Sequence, residues 1–288
     1  MGTTARPFRT QYIRQMSLWT KGRFGKRALI SGLALSGILL ILPMAIRAQE
    51  LRFPAPSATG VLGEKDAGAF AEIKASLLAS SAAAWQSLEG RGTITFPDGA
   101  AHPASLYLAG SRSSRLDIEM ASGVRSLRIS GLVGKSQDEA GNQGALTPAT
   151  SSAGVVAFPR IWTDALASTN VSLYDHKIYS GTGENLHRIT IEHALDTEVN
   201  NSLGKKTAVT DLYFDPDSHL LLFSVDSLPF TGMRSPLIRV TTYSNRQSFQ
   251  GVSVPTTIKQ TLNGQLQWTL SLSQITLNTN LPTSTFTF

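Results

Sequence analysis

The chain is expected to be mainly β (α+β). The predicted form is a curved, incompletely closed antiparallel β-barrel of about eleven strands, with a long helix packed on its concave side. Three observations predict this. One helical pattern over 63–88 precedes a succession of segments that alternate apolar and polar residues with the two-residue period of strands. Turn formers such as Pro97-Asp98-Gly99 and Asn263-Gly264 separate those segments at short intervals. The 288 residues are 41% hydrophobic and hold no cysteine, so a core of this size needs no disulfide or metal to support it.

The first segment reads as an address. Residues 1–48 carry eight basic residues and no acid, and 28–46 is an uncharged apolar run followed by Arg47-Ala48. A basic region, an apolar stretch and a small residue at a cleavage point form a secretory signal. The run is also long enough to span a bilayer, so an uncleaved inner-membrane tether is the rival reading. In both cases the basic cluster stays on the cytoplasmic side and the body is exported. Removing those eight basic residues leaves 18 basic against 20 acidic residues. A near-neutral body argues against nucleic acid as a partner.

Residues 49–62 read as a linker, and 63–288 as a single domain. Phe70, Ile73, Leu77, Ala84 or Trp85, and Leu88 space one face of the helix over 63–88, with Asp66 as its cap. Strands follow at 92–96, 104–109, 115–120 and 123–129. In the third, Leu116, Ile118 and Met120 alternate with Arg115, Asp117 and Glu119. Residues 135–154 are rich in Gly, Ser, Thr and Asn and read as a flexible polar loop without core-forming content. A short helical stretch is expected at 158–167, with Pro159 in its first turn. Seven further strands are expected at 171–180, 186–194, 207–214, 219–226, 236–246, 251–262 and 265–277. Asn263-Gly264 makes the last two a hairpin with a two-residue turn.

Catalytic signatures do not emerge. None of the five histidines has HExxH spacing, and His187 and His193, which share strand parity, stand about 20 Å apart. There is no nucleophile elbow and no glycine-rich phosphate loop. Asp117 and Glu119 share a face with Arg115, which suits cross-strand ion pairing. The expectation is therefore a non-enzyme with no cofactor and no metal.

The order of elements, and four passages within it, resemble the LolA/LolB/LppX-like superfamily of periplasmic lipoprotein and lipid carriers. The passages are Asp211-Leu212-Tyr213-Phe214-Asp215-Pro216 before Leu220-Leu221-Leu222, and Tyr243-Ser244-Asn245 before Gly251-Val252-Ser253-Val254-Pro255. The others are the ending from Leu277-Asn278 to Thr285-Phe286, and the strand from Arg112 to Glu119. The resemblance covers residues 63–288. It implies a half-closed sheet whose apolar concave face holds a lipid or lipoprotein acyl chain. It also implies, beside the lipid or acylated lipoprotein, a partner that loads or unloads it: an inner-membrane transporter or an outer-membrane acceptor. Arg115 falls where the carriers have a functional arginine that bonds a lid. Alternation puts it on the face opposite Leu116, so its reach to lid carbonyls is expected from the rim. The expected ligand-binding set is Leu116, Ile118, Leu127, Trp162, Phe223, Val225, Phe230 and Met233, with lids at 158–167 and 227–236. The competing expectation is an envelope module of the same fold with a filled core. An exported hydrolase is the third, and would place histidine beside Asp or Glu in the cavity.

Overall fold

The computed structural model describes residues 65–79, 86–110, 113–156, 171–175, 186–194, 207–228 and 236–288, all within the compact unit Phe53–Phe288. The segment 1–48 and the linker 49–62 lie outside them, as does the helical stretch at 158–167.

One helix, α1 (Ala67–Ala79), opens the described chain. Asp66 caps it through Oδ1, which accepts from the backbone N–H of Gly68 at 2.8 Å and of Ala69 at 3.0 Å. The helix expected over 63–88 is shorter than that: Ser87 and Leu88 already belong to a strand, where Leu88 pairs with Leu108 and Leu277.

Among the described residues, thirteen antiparallel strands form one open sheet, two more than expected. They are β1 (Ser87–Thr95), β2 (Ala101–Ala109), β3 (Ser113–Met120), β4 (Gly123–Ser130), β5 (Val133–Gln137), β6 (Gln143–Ala145) and β7 (Val171–Asp175). The chain continues through β8 (His187–Ala194), β9 (Thr207–Phe214), β10 (Leu221–Leu228), β11 (Leu237–Phe249), β12 (Val252–Leu262) and β13 (Gln265–Leu277). Their order in the sheet is β6-β5-β4-β3-β2-β1-β13-β12-β11-β10-β9-β8-β7. One meander thus runs outward from β1 to the β6 edge, the other inward from the β7 edge to β13, and the two are joined at the β1–β13 seam.

The added strands, and a second helix α2 (Pro148–Ala153), come from the stretch read as a polar loop. Polar composition misled because this segment is ordered by hydrogen bonds more than by apolar burial. Arg125 donates to both Glu139 oxygens, at 2.6 and 3.0 Å, and that bonding holds the Glu139 carboxyl below its usual range. Thr147 caps α2 by accepting from the N–H of Thr150, with Pro148 in the first turn.

α2 also reports the curvature. β5 and β9 stand nine strand steps apart in the sheet, about 43 Å along a flat sheet at about 4.8 Å per step. Yet α2, six residues and about 9 Å long, touches β5, β9 and β10. The sheet therefore curls around it. Its inner face carries Leu88, Ile94, Leu106, Leu116, Ile118, Ile129 and Leu270, all almost fully buried.

The last hairpin turns at Asn263-Gly264, both with positive φ (48° and 78°), as the favoured two-residue turn requires. A Cβ on Gly264 would meet nothing within 4 Å, so the cost of a side chain there is conformational alone. Gly264→Val should lower stability by about 1–2 kcal/mol, because a β-branched residue resists positive φ. An unchanged denaturation midpoint would show that φ at 264 can relax.

Candidate functional site

Residues directly opposite in an antiparallel register project to the same face, which sorts the expected ligand set. Leu116 pairs with Leu106 and Leu127, and Ile118 with Ala104 and Arg125. Ser114, two residues along on the same face, accepts at Oγ from the backbone N–H of Val155 at 3.2 Å. Leu116, Ile118 and the half-buried Leu127 therefore line the inner face around α2, together.

Phe223 and Val225 do not join them. Asp226 sits opposite Arg239, and Arg239 bonds the α2 end, so Asp226 is an inner-face residue. Val225, one position back, faces outward opposite Val240 and Asp211. There Tyr213 and Val225 are buried with Leu186, and Phe223, Ile238 and Val240 pack against them. The Phe223 ring stacks on Tyr213 at 4.4 Å. This half of the sheet buries apolar side chains on both faces, so hydrophobicity alone could not tell inner from outer. Trp162, Phe230 and Met233 lie outside the described residues, as do 158–167 and 229–235 of the expected lids.

Arg115 stands on the outer face. Its Nε donates to both Asp117 oxygens at 2.8 and 2.9 Å, and Nη1 donates to the Thr285 carbonyl at 3.1 Å. The guanidinium lies 5.2 Å from the Tyr107 ring centroid. Arg128, next to it on β4, donates to the Thr287 carbonyl at 2.7 Å and covers the Phe288 ring. In this structure the two arginines strap the chain after β13, including a 3-10 turn at Thr283–Phe286, onto β3 and β4.

Sequence reasoning missed the most connected group on the inner face. Arg239 donates through Nε and Nη2 to one Asp226 oxygen, at 2.9 and 2.7 Å. The other Asp226 oxygen accepts from Thr210 Oγ1 at 2.7 Å. Arg239 then donates through Nη1 to the Gly154 carbonyl at 2.8 Å and through Nη2 to the Ala153 carbonyl at 2.9 Å. From β12, Gln260 Nε2 donates to the Val155 carbonyl at 3.3 Å. The backbone of 153–155 is thus bonded to both walls, by Ser114 on one side and by Arg239 and Gln260 on the other. Val155 and Val156 are buried between them. A signal was present: Asp226 and Arg239 each lie two residues inside the same hairpin connection, Leu228 opposite Leu237. A carboxylate and a guanidinium at mirrored places in apolar strands are poised to pair.

A second polar group joins α1 to the sheet. His187 holds Asp175 through Nε2 at 2.7 Å and Glu72 through Nδ1 at 3.2 Å, and His219 Nδ1 holds the other Glu72 oxygen at 2.8 Å. Both ring nitrogens of His187 are occupied by carboxylates, so neither is left to move a substrate proton. The cluster works as a clamp on the helix. Among the described residues, no group of three or more His, Asp or Glu is disposed to hold a metal ion.

Solved structures similar to the chain include the following two. One is a LolA superfamily protein from Nitrosomonas europaea, at 16% identity and a TM-score of 0.43, covering 80% of this chain and 99% of that one. The other is a DUF1329 family protein from Desulfovibrio piger, at 11% identity and a TM-score of 0.47, covering 76% of this chain and 96% of that one. Likeness at this level concerns the course of the chain and not a ligand or an activity. No family model and no curated protein matches the sequence.

Proposed function

We propose that this protein is an exported, non-catalytic binder or carrier of a lipid or lipoprotein acyl chain in a bacterial envelope. The ligand is taken up on the inner face of the sheet when the segment 147–156 withdraws. The observation that carries this reading is the mismatch between that segment and what surrounds it. A thirteen-stranded sheet curls around a six-residue helix of sequence PATSSA, which contains no large aliphatic or aromatic residue. It is tied in through its backbone, by bonds that an opening motion can break and remake. An acyl chain on the same wall contributes about 0.8 kcal/mol per buried CH₂, so a chain of ordinary length outweighs a few hydrogen bonds worth about 1 kcal/mol each. Export through 28–46 and exchange with membrane partners complete the reading.

A second reading, a filled core without ligand, draws on the near-complete burial of Val155 and Val156. The two separate in one experiment. N-phenylnaphthylamine, whose emission rises in apolar sites, is titrated into the wild type and into a Ser114→Ala/Gln260→Ala variant, which lacks the side-chain bonds to Val155. A carrier binds the probe, and the variant binds it about threefold to tenfold more tightly, because the plug competes less well. Absence of binding by both proteins, folded by circular dichroism, would leave the filled core.

A further inference from the structure

The inner face is not uniform. Around β1–β4 and β13 it is apolar, with Leu106, Leu116, Ile118 and Leu270. On β9–β12 the same face buries Leu212, Tyr243 and Ile258, and among them it carries the polar Thr210, Ser224, Asp226, Arg239, Thr241 and Gln260, as the register places them. Ser224 and Thr241 are directly opposite one another, one rung from the Asp226–Arg239 pair. Both are fully buried, and neither hydroxyl has a hydrogen-bond partner among the described residues. A buried hydroxyl left unpaired is costly, and here two of them lie one rung from a pair whose guanidinium rests its remaining donors on the carbonyls of Ala153 and Gly154. When 147–156 withdraws, those donors lose their acceptors as well.

We infer that this polar patch of the inner face is a head-group subsite for a neutral acyl ester or amide. Its carbonyl oxygens would replace those of Ala153 and Gly154 on Arg239 and accept from Ser224 and Thr241. The inference rests on the acyl-binding reading and narrows its ligand. The charge of Arg239 is already balanced by Asp226 at hydrogen-bond distance. Neutral carbonyls therefore exchange for neutral carbonyls, whereas a carboxylate or phosphate would leave an uncompensated negative charge in a buried site. A plain hydrocarbon would leave four donors unpaired.

The test is displacement of N-phenylnaphthylamine from the full chain by dioctanoylglycerol, hexadecane and palmitate. Dioctanoylglycerol should displace the probe at concentrations at least about tenfold below either of the others. In a Ser224→Ala/Thr241→Val variant this preference should fall at least about threefold, while the melting temperature of the ligand-free protein holds or rises, since unpaired hydroxyls stabilise nothing there. Equal displacement by ester and hydrocarbon would overturn the subsite and leave the acyl-binding reading standing. A preference for palmitate would overturn the charge argument, and with it the neutral ligand. A fall in melting temperature would show that the two hydroxyls serve the fold. A wild type that binds no probe would remove both this inference and the reading beneath it.

Discussion

Asp226→Ala should destabilise the folded domain by about 3–5 kcal/mol, measured by denaturant unfolding at neutral pH. Removing one partner of a buried ion pair leaves the other as an uncompensated charge, and here Arg239 would be stranded on an inner face where it is 6% exposed. Thr210 loses its acceptor at the same time. The double variant Asp226→Leu/Arg239→Met should recover most of that loss, because two apolar side chains of similar size replace the pair. It should not restore the anchoring of Ala153 and Gly154, whose carbonyls lose their donors. Probe uptake in the double variant should therefore exceed wild type even though stability returns. A single variant losing under about 1 kcal/mol would mean that water reaches Arg239 and that the inner face is wetter than its burial implies.

Gly92→Ala should cost about 3 kcal/mol or more, a large effect for one methyl group. Gly92 follows a bulge in the β1–β13 pairing, where the register slips between Arg91 and Gly92. A Cβ there would sit 1.9 Å from the Ser271 carbonyl oxygen and 2.8 Å from the Leu272 Cα. Both are backbone atoms of the partner strand, so no side-chain rotation relieves the clash and the strands must part. This seam joins the two meanders, and its loss should appear as early exchange of amide hydrogens in β1 and β13. A loss below about 0.5 kcal/mol would show that the seam shifts register freely.

Much of the fold was legible because its signals are local. Alternation through Arg115–Met120 marks a strand whatever its neighbours, and positive φ at Asn263-Gly264 follows from the chemistry of two adjacent residues. The resemblance to the periplasmic carriers, drawn from short passages in order, was likewise a reading of contiguous sequence. β5, β6 and α2 were not legible. Their segment of small polar residues has no periodic apolar face, and it is ordered by partners distant along the chain, above all Arg239, 85 residues from Gly154.

The site divides in the same way. That Leu116 and Ile118 share a buried face follows from period two alone. That Phe223 and Val225 face away from them does not, because β8–β11 bury side chains on both faces, and alternation then names two faces without saying which is inner. Only the curl of the sheet decides it, by bringing Arg239 against the carbonyls of Ala153 and Gly154. The sequence by itself determined which residues alternate and where the chain turns, since those preferences act over a few bonds. The tertiary structure alone decided which face is enclosed and what occupies it, since that depends on contacts made across the whole width of the sheet.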